Sequence, residues 1–401
     1  MRSRTATENE FDRPMRIAGI VGIAAAVIAV IGLFIGGAEA FFQSYLFSYV
    51  FWLGISLGLL AILLLHFLMG TRWGLTVRRI AEAGAGSIWV MAILFIPLLL
   101  GMNYLFPWTR PAEVQASEIL QAKTFYLNMP FFMIRQVVYF ALWILMAFMV
   151  NRLAGQLGRS RETDVTLRGR LQGMGALYLI IYVLTMSFAA IDWLMSLQPF
   201  WNSSIFGLII IVGQVLTGMG FALLVLNLFP GLSLGRRWSL DNTPMPYSDL
   251  GALLLTFVLG YAYLAYFQFL IIWAANIPRE TVWYIDRSTG GWNIVIILVT
   301  LLQFVVPFAI LLSFRVRHNL RVLAGVGALL LVSNLINLFW HVKPAFYPGA
   351  FAISWLDFVM PVALGGIWLA VFLYNLKRRP ALSPADQAAL ELTQEARRAV
   401  S

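Results

Sequence analysis

Residues 45–68 read "YLFSYVFWLGISLGLLAILLLHFL" and contain no Asp, Glu, Lys or Arg. As a helix rising 1.5 Å per residue, such a run spans about 36 Å, enough to cross a hydrocarbon core of about 30 Å. Lipid offers no partner to an open backbone N–H or C=O, so the stretch must close its hydrogen bonds on itself as a helix.

Nine further runs pass the same test. The expected spans are 17–37, 45–68, 87–106, 129–151, 171–196, 203–228, 249–275, 291–314, 320–341 and 352–375. The chain as a whole agrees: of 401 residues, 61% are hydrophobic and 11% charged, a balance that no water-soluble protein of this size carries. The fold class is therefore all-α integral membrane, with ten transmembrane helices and the lipid bilayer as surroundings.

The net charge of +10 does not point to nucleic acid, because the basic residues sit in short connectors. One set of alternate connectors holds Arg72, Arg78, Arg79, Arg152, Arg159, Arg161, Arg168, Arg170, Arg236, Arg237, Arg315, Arg317, Arg321, Lys377, Arg378 and Arg379. The opposite set holds Arg110, Lys123, Arg279, Arg287 and Lys343. Positive charge is retained in the cytoplasm, so both termini are expected there. The polar start "MRSRTATENEFDRPMRIAG" leads into a run long enough to span, which reads as a retained first helix rather than a signal peptide.

Spans 2–5 and 6–9 form two sets of four. "YLNMPFF" before the fourth span echoes "YIDRSTGGW" before the eighth, and "SLQPFW" after the fifth echoes "HVKPAFY" after the ninth. The expected organisation is an N-terminal segment 1–16, a peripheral helix within 17–44, a first four-helix bundle within 45–202, a second within 203–348, a peripheral helix within 349–376 and a tail from 377. Chance likeness of Pro-aromatic helix exits is the competing explanation. Ala18, Gly22 and Ala26 give the first span a face that can approach a neighbour closely. Residues 110–126 suggest an amphipathic helix at the membrane surface. In the tail, Ser383 and Pro384 suit a helix start.

With no cysteine, thiolate iron–sulfur ligation and cysteine zinc sites are excluded. The histidines His66, His318 and His341 are too few for two bis-histidine haems. His66 and His318 read as surface residues beside arginines. No nucleotide or metal motif appears, so no metal site is expected.

Polar residues within spans are the functional candidates. Tyr178, Tyr182, Thr185 and Asp192 fall near one face of the fifth span and suit a proton relay; packed tyrosines with an interfacial aspartate are the bland alternative. Arg135 in the fourth span needs an anion, with Asp192 preferred over Asp357 and Glu118. Ser203, Gln214 and Thr217 share a face of the sixth span. Gln214, Gln268 and Gln303 can bond between helices but cannot store a proton. Asn334, Asn337 and His341 line one face of the ninth span and suit either a quinone carbonyl or an aromatic interface belt.

"IDWLMSLQPFWNSSIFG" (191–207) and "YLAYFQFLIIWAANIPRETVWYIDRSTGGW" (263–292) resemble the ActF-like membrane subunits of bacterial alternative complex III, in the NrfD/polysulfide reductase membrane-subunit superfamily. The resemblance covers at least spans five to nine. It implies two four-helix bundles flanked by helices 1 and 10 in a quinol:cytochrome c, or quinol:oxidase, oxidoreductase. It also implies three kinds of partner: a related ten-helix quinone-binding subunit, an iron–sulfur subunit and c-type cytochrome subunits. Haem c and iron–sulfur clusters would sit on those partners, and this chain would bind no redox cofactor beyond a quinone or quinol.

The chain would then be a non-catalytic or quinone-proximal subunit, structural or offering a route for protons. Relatives commonly read Glu-Pro-His at Gln198, Pro199 and Phe200, an acid at Arg279, and aspartate near Asn337. Those protonatable positions are neutral or basic here, which leaves Asp192 as the relay candidate. A secondary transporter with a site between the two bundles is the alternative from another class; a scaffold without chemistry is the third.

Overall fold

The computed structural model describes residues 2–157, 165–232 and 247–379. The expected tail helix at Ser383, most of the loop 232–249, and Arg159 and Arg161 lie outside these residues. Ten helices are long and apolar enough to cross a membrane, and no strand occurs among the described residues. They are α1 (Arg2–Gly36), α2 (Ala38–Met69), α3 (Arg72–Ala85, continued by shorter pieces), α4 (Met129–Leu157) and α5 (Val165–Trp193). Then come α6 (Phe206–Leu228), α7 (Tyr247–Ala275), α8 (Trp292–Leu312), α9 (Leu320–Val342) and α10 (Leu356–Lys377).

An even number of crossings returns both ends to one face, where Lys377 of α10 pairs with Asp12 of α1 at 2.7 Å. We call this the terminal face and its opposite the far face.

α2 is apolar on every side, as a helix surrounded by other helices must be, and its residues from Phe41 to Leu64 are buried apart from Trp52. It packs on α3, α5, α6, α9 and α10. The sets α2–α5 and α6–α9 meet where α2 lies against α6. There a Cβ on Gly58 would overlap the Gln214 carbonyl, and one on Gly218 would come within 2.8 Å of the Gly58 backbone. Only glycine lets the two backbones approach so closely.

α1 and α10 flank the pair, with α10 wedged between α1 and α2. The small-residue face of α1 meets α10 as expected, Gly22 resting on the backbone at Gly366. Trp368 on the other side of α10 is fully buried and donates to Ser56 Oγ of α2 at 2.7 Å.

Several elements depart from the sequence expectations. The third crossing turns helical at Arg72 rather than at residue 87, and it is broken beyond Ala85 into Ile88–Ile93, Ile96–Leu100 and Met102–Leu105. Pro97 and Gly101 sit at two of the breaks, where a missing N–H and a missing Cβ weaken the helix. Arg78, expected in a surface connector, is buried; it pairs with Glu82 at 2.8 Å and donates to the Ala154 carbonyl at 2.9 Å.

His66, expected at the surface, is also buried, packed against Phe67 and Trp73. Both corrections have one cause: the helix that begins at Arg72 folds back over the end of α2. His318 is exposed as expected.

The segment 110–126 holds two short helices, Pro111–Ala116 and Glu118–Ala122, rather than one. Ser117 is extended between them and caps the second, accepting from the Leu120 N–H at 3.3 Å. Ser203 precedes α6 instead of lying within it. α5 and α9 both run out into a 3-10 turn, Met195–Leu197 and Lys343–Ala345.

α8 carries a π-helical segment at Leu301–Val305. Pro307 has no N–H to offer the carbonyl four residues earlier, that of Gln303, so the regular ladder cannot pass through this point.

Candidate functional site

The two stretches that carry the family resemblance fold onto each other at the far face. α7 ends at Ala275, and Asn276 takes a left-handed φ of 48° that reverses the chain into the short helix Pro278–Asp286. That helix lays Trp283 flat on Trp201, with ring centroids 4.4 Å apart and planes 15° from parallel. Around the stack, Ser203 Oγ donates to Gln268 Oε1 at 2.9 Å and Arg279 Nε donates to the Phe200 carbonyl at 3.0 Å.

Gln198 joins the two stretches through both ends of its amide. Its Nε2 donates to Asp286 Oδ2 at 2.9 Å, and its Oε1 accepts from Arg287 Nη1 at 2.5 Å. Arg287 is almost wholly buried and donates further to the carbonyls of Trp283 and His341. The Trp283 ring lies 3.9 Å from its guanidinium carbon.

Burial pulls the Arg287 guanidinium down to about 9, with Asp286 and Tyr284 opposing the shift. Burial likewise raises the Asp286 carboxyl, while the Gln198 hydrogen bond and the Arg287 charge pull it back. The Tyr284 hydroxyl is pushed up to about 12 by burial, so it stays protonated at neutral pH.

Beneath this unit, inside the second bundle, lies a cavity of about 770 Å³. Gln268, Gln303, Asn337 and His341, singled out in the sequence as separate polar candidates, all line it. Trp283, Tyr284, Arg287 and Trp340 complete the far end of its wall. Along its side run Leu259, Tyr263 and Tyr266 of α7 and Thr300 of α8, all exposed at membrane depth. α7 packs on the inner part of α8, from the π segment onward, and scarcely touches its outer part Trp292–Thr300. The cavity therefore opens sideways, between α7 and α8, toward lipid.

Most polar atoms of the second bundle are satisfied. Asn337 Nδ2 donates to the Tyr261 hydroxyl at 2.8 Å, Asn334 Nδ2 to Thr217 Oγ1 at 3.1 Å, and Ser333 Oγ to Gln303 Oε1 at 3.2 Å. Both ring nitrogens of His341, Nε2 of Gln303 and Nε of Arg287 are buried without a partner.

In the first bundle Arg135 and Asp192 form the expected pair. Arg135 Nε and Nη2 grip the two carboxylate oxygens at 2.9 and 2.8 Å, and Nη1 donates to the Tyr126 carbonyl at 2.9 Å. Gln136 and Tyr139 of α4 add two more donors to Asp192, at 3.2 and 3.1 Å. The carboxylate is fully buried with its acceptor capacity filled.

The rest of the α5 stripe turns sideways rather than along the helix. Thr185 accepts from Trp143 Nε1 of α4 at 2.8 Å, and Tyr182 donates to Gln214 Oε1 of α6 at 2.7 Å. Tyr178 is half-buried against the core. Among the described residues no side chain of the stripe bonds the side chain of the next; Thr185 Oγ1 reaches only the backbone carbonyls of Ile181, at 2.7 Å, and Tyr182, at 3.2 Å.

Asp357 belongs to a third group, where α2, α9 and α10 meet. It pairs with the buried Lys343 at 3.0 Å and accepts from Ser44 Oγ at 2.6 Å and the Ser354 N–H at 2.7 Å. This settles the choice of partner for Arg135 in favour of Asp192.

Sequence reading missed Arg287 as a site residue, along with Trp283, Tyr284 and Tyr261. The available signal was the adjacent Asp286 and Arg287 beside Gly290 and Gly291, an unusual cluster within a long apolar stretch. No cluster of three or more His, Asp or Glu side chains forms among the described residues. The chain matches no family model and no curated protein.

Proposed function

We propose that this chain is an integral membrane subunit of a respiratory quinol oxidoreductase complex of the alternative complex III type. It passes electrons to cytochrome c or to an oxidase only through partner subunits. The observation that carries the reading is the contact between residues 191–207 and 263–292. Two stretches far apart in the chain, each resembling that family, build one unit in space through Gln198, Trp201, Trp283 and Arg287. A chance likeness scattered along an apolar chain gives no reason for the matching pieces to meet.

In this reading the terminal face, with Arg78, Arg79, Arg315, Arg317, Arg378 and Arg379, is cytoplasmic, and the far face receives the iron–sulfur and cytochrome c partners. The role of the first bundle is structural, because the Asp192 carboxylate is closed off by Arg135, Gln136 and Tyr139. The contacts of Gly58 and Gly218 weigh against a transporter with its site between the bundles, since backbone meets backbone where that site would lie.

The test is purification from native membranes in mild detergent through a tag on this chain. A related multi-span subunit, an iron–sulfur protein and a c-type cytochrome should migrate with it on a native gel. A solitary chain that accumulates a solute in vesicles would overturn the proposal.

A further inference from the structure

We infer that Lys123 and Arg279 hold the phosphate of an anionic glycerophospholipid of the far leaflet, whose acyl chains lie in the groove between α5 and α7. The other cations of the far face have carboxylates at hand. Arg110 pairs with Glu113 at 2.8 Å, Arg135 with Asp192 at 2.8 Å and Lys343 with Asp357 at 3.0 Å. Arg287 stands next to Asp286 and shares the Gln198 amide with it. Lys123 and Arg279 are left over. Among the described residues no carboxylate forms an ion pair with either, Glu280 beside Arg279 included.

The two cations come from different bundles and grip the same turn. Lys123 Nζ donates to the Pro199 carbonyl at 2.6 Å and to Asn202 Oδ1 at 2.9 Å, and Arg279 Nε donates to the Phe200 carbonyl at 3.0 Å. One ammonium hydrogen and both Nη groups of the guanidinium remain without a protein partner. The charges are close enough to oppose each other: burial, and after it the charge of Arg279, lowers the Lys123 ammonium from its usual value. An anion shared by the pair turns that repulsion into attraction. A phosphate accepts from the planar fork of an arginine and the point charge of a lysine together.

The surroundings select a lipid as the source of the phosphate. α4 begins at Met129 and α7 ends at Ala275, so Lys123 and Arg279 stand just beyond the helix ends, at the level of headgroups. Phe125, Phe200 and Ile277 beside them are large, apolar and exposed, as at a lipid interface. Below, α5 and α7 both pack on α6 and scarcely touch each other, which leaves the outward side of α6 open between them. Phe188 of α5 and Leu208 of α6 are exposed along this groove, and the turn 199–202 crosses its far end as it leads from α5 into α6.

An acidic protein surface would answer the two charges and leave the groove bare. An ethanolamine or choline headgroup would bring a third cation to the pair, so the ligand carries net negative charge, as phosphatidylglycerol does. The site stands whether or not the chain serves a respiratory complex.

The test is photolabelling of the protein purified through a tag on this chain, with whatever subunits accompany it. The probe is phosphatidylglycerol with a diazirine in one acyl chain, and adducts are located by peptide mapping. They should concentrate in 184–212 and 271–279. Excess unlabelled phosphatidylglycerol should suppress them, while excess phosphatidylcholine or inorganic phosphate should not. Lys123→Gln with Arg279→Gln removes two charge-assisted contacts and should reduce this labelling about tenfold or more. Arg110→Gln, on the same face but already paired, should leave it unchanged.

Displacement by phosphatidylcholine would mean ordinary lipid contact, and displacement by inorganic phosphate a free-anion site; either result overturns the inference. So would a polypeptide captured in cells by p-benzoylphenylalanine placed at Phe200, which would assign the cations to an acidic partner. The competition arms use the wild-type protein and decide the matter whether or not the double variant folds.

Discussion

Arg287 Nη1 and Gln198 Oε1 lie 2.5 Å apart and join the loop after α5 to the turn before α8. The bond couples the two bundles at the far face and holds the Arg287 guanidinium above the cavity. Gln198→Ala removes the acceptor and frees Asp286 from its amide donor at the same time. Arg287 Nη1 would keep only its 3.2 Å bond to the Trp283 carbonyl, and a lost partner at a buried donor costs about 1–3 kcal/mol. Thermal unfolding in detergent should register that loss, whereas the exposed Arg279→Ala nearby should cost well under half as much.

The Arg135–Asp192 pair is bidentate and buried, so removing one partner strands a charge. Arg135→Ala or Asp192→Asn should each cost on the order of 3–5 kcal/mol, and replacing both with apolar residues should recover part of the loss. A double-mutant cycle on unfolding free energies measures the coupling. Additive losses would show that the two side chains do not depend on each other.

The Asp286 carboxyl is raised by burial, so the folded protein holds its proton more tightly than the unfolded chain does. That contribution is fully present below the ordinary carboxylate value and is lost as pH rises through the folded one. Asp286→Asn has no proton to bind. The melting-temperature advantage of wild type over Asp286→Asn should therefore grow as pH falls from neutrality through the carboxylate range. A constant or shrinking difference would contradict the burial of this group.

Gly218 faces the Gly58 backbone across the α2–α6 junction. Gly218→Ala forces two central helices apart, and overpacking of this kind costs about 1–3 kcal/mol. Gly155→Ala, where a Cβ meets nothing within 4 Å, should be neutral or slightly stabilising. Comparing yields of monodisperse protein for the two variants checks the closed junction.

The ten crossings were legible because residues such as 45–68 leave a hydrophobic chain no alternative to a helix in lipid. The Arg135–Asp192 pair was legible too, since an arginine at membrane depth must find an anion and few are available. The broken third crossing was not. Arg72, Arg78 and Arg79 look like a connector by charge, yet Arg78 is neutralised by Glu82 and the Ala154 carbonyl once α3 folds back on α2.

The cavity was legible only in pieces. Gln268, Gln303, Asn337 and His341 stand on α7, α8 and α9, and no spacing along the chain reports that three helices point them into one space. Arg287 escaped notice because a basic residue in a short connector normally marks topology. Its burial depends on Gln198, 89 residues earlier.

The most direct test is the optical spectrum of the complex purified through this chain, recorded before and after adding a quinol. The expected result is reduction of co-purified haem c by the quinol, with no haem remaining on this chain when it is separated from its partners. A preparation that folds, matches the native oligomer and carries no quinol-reducible haem c would contradict the account.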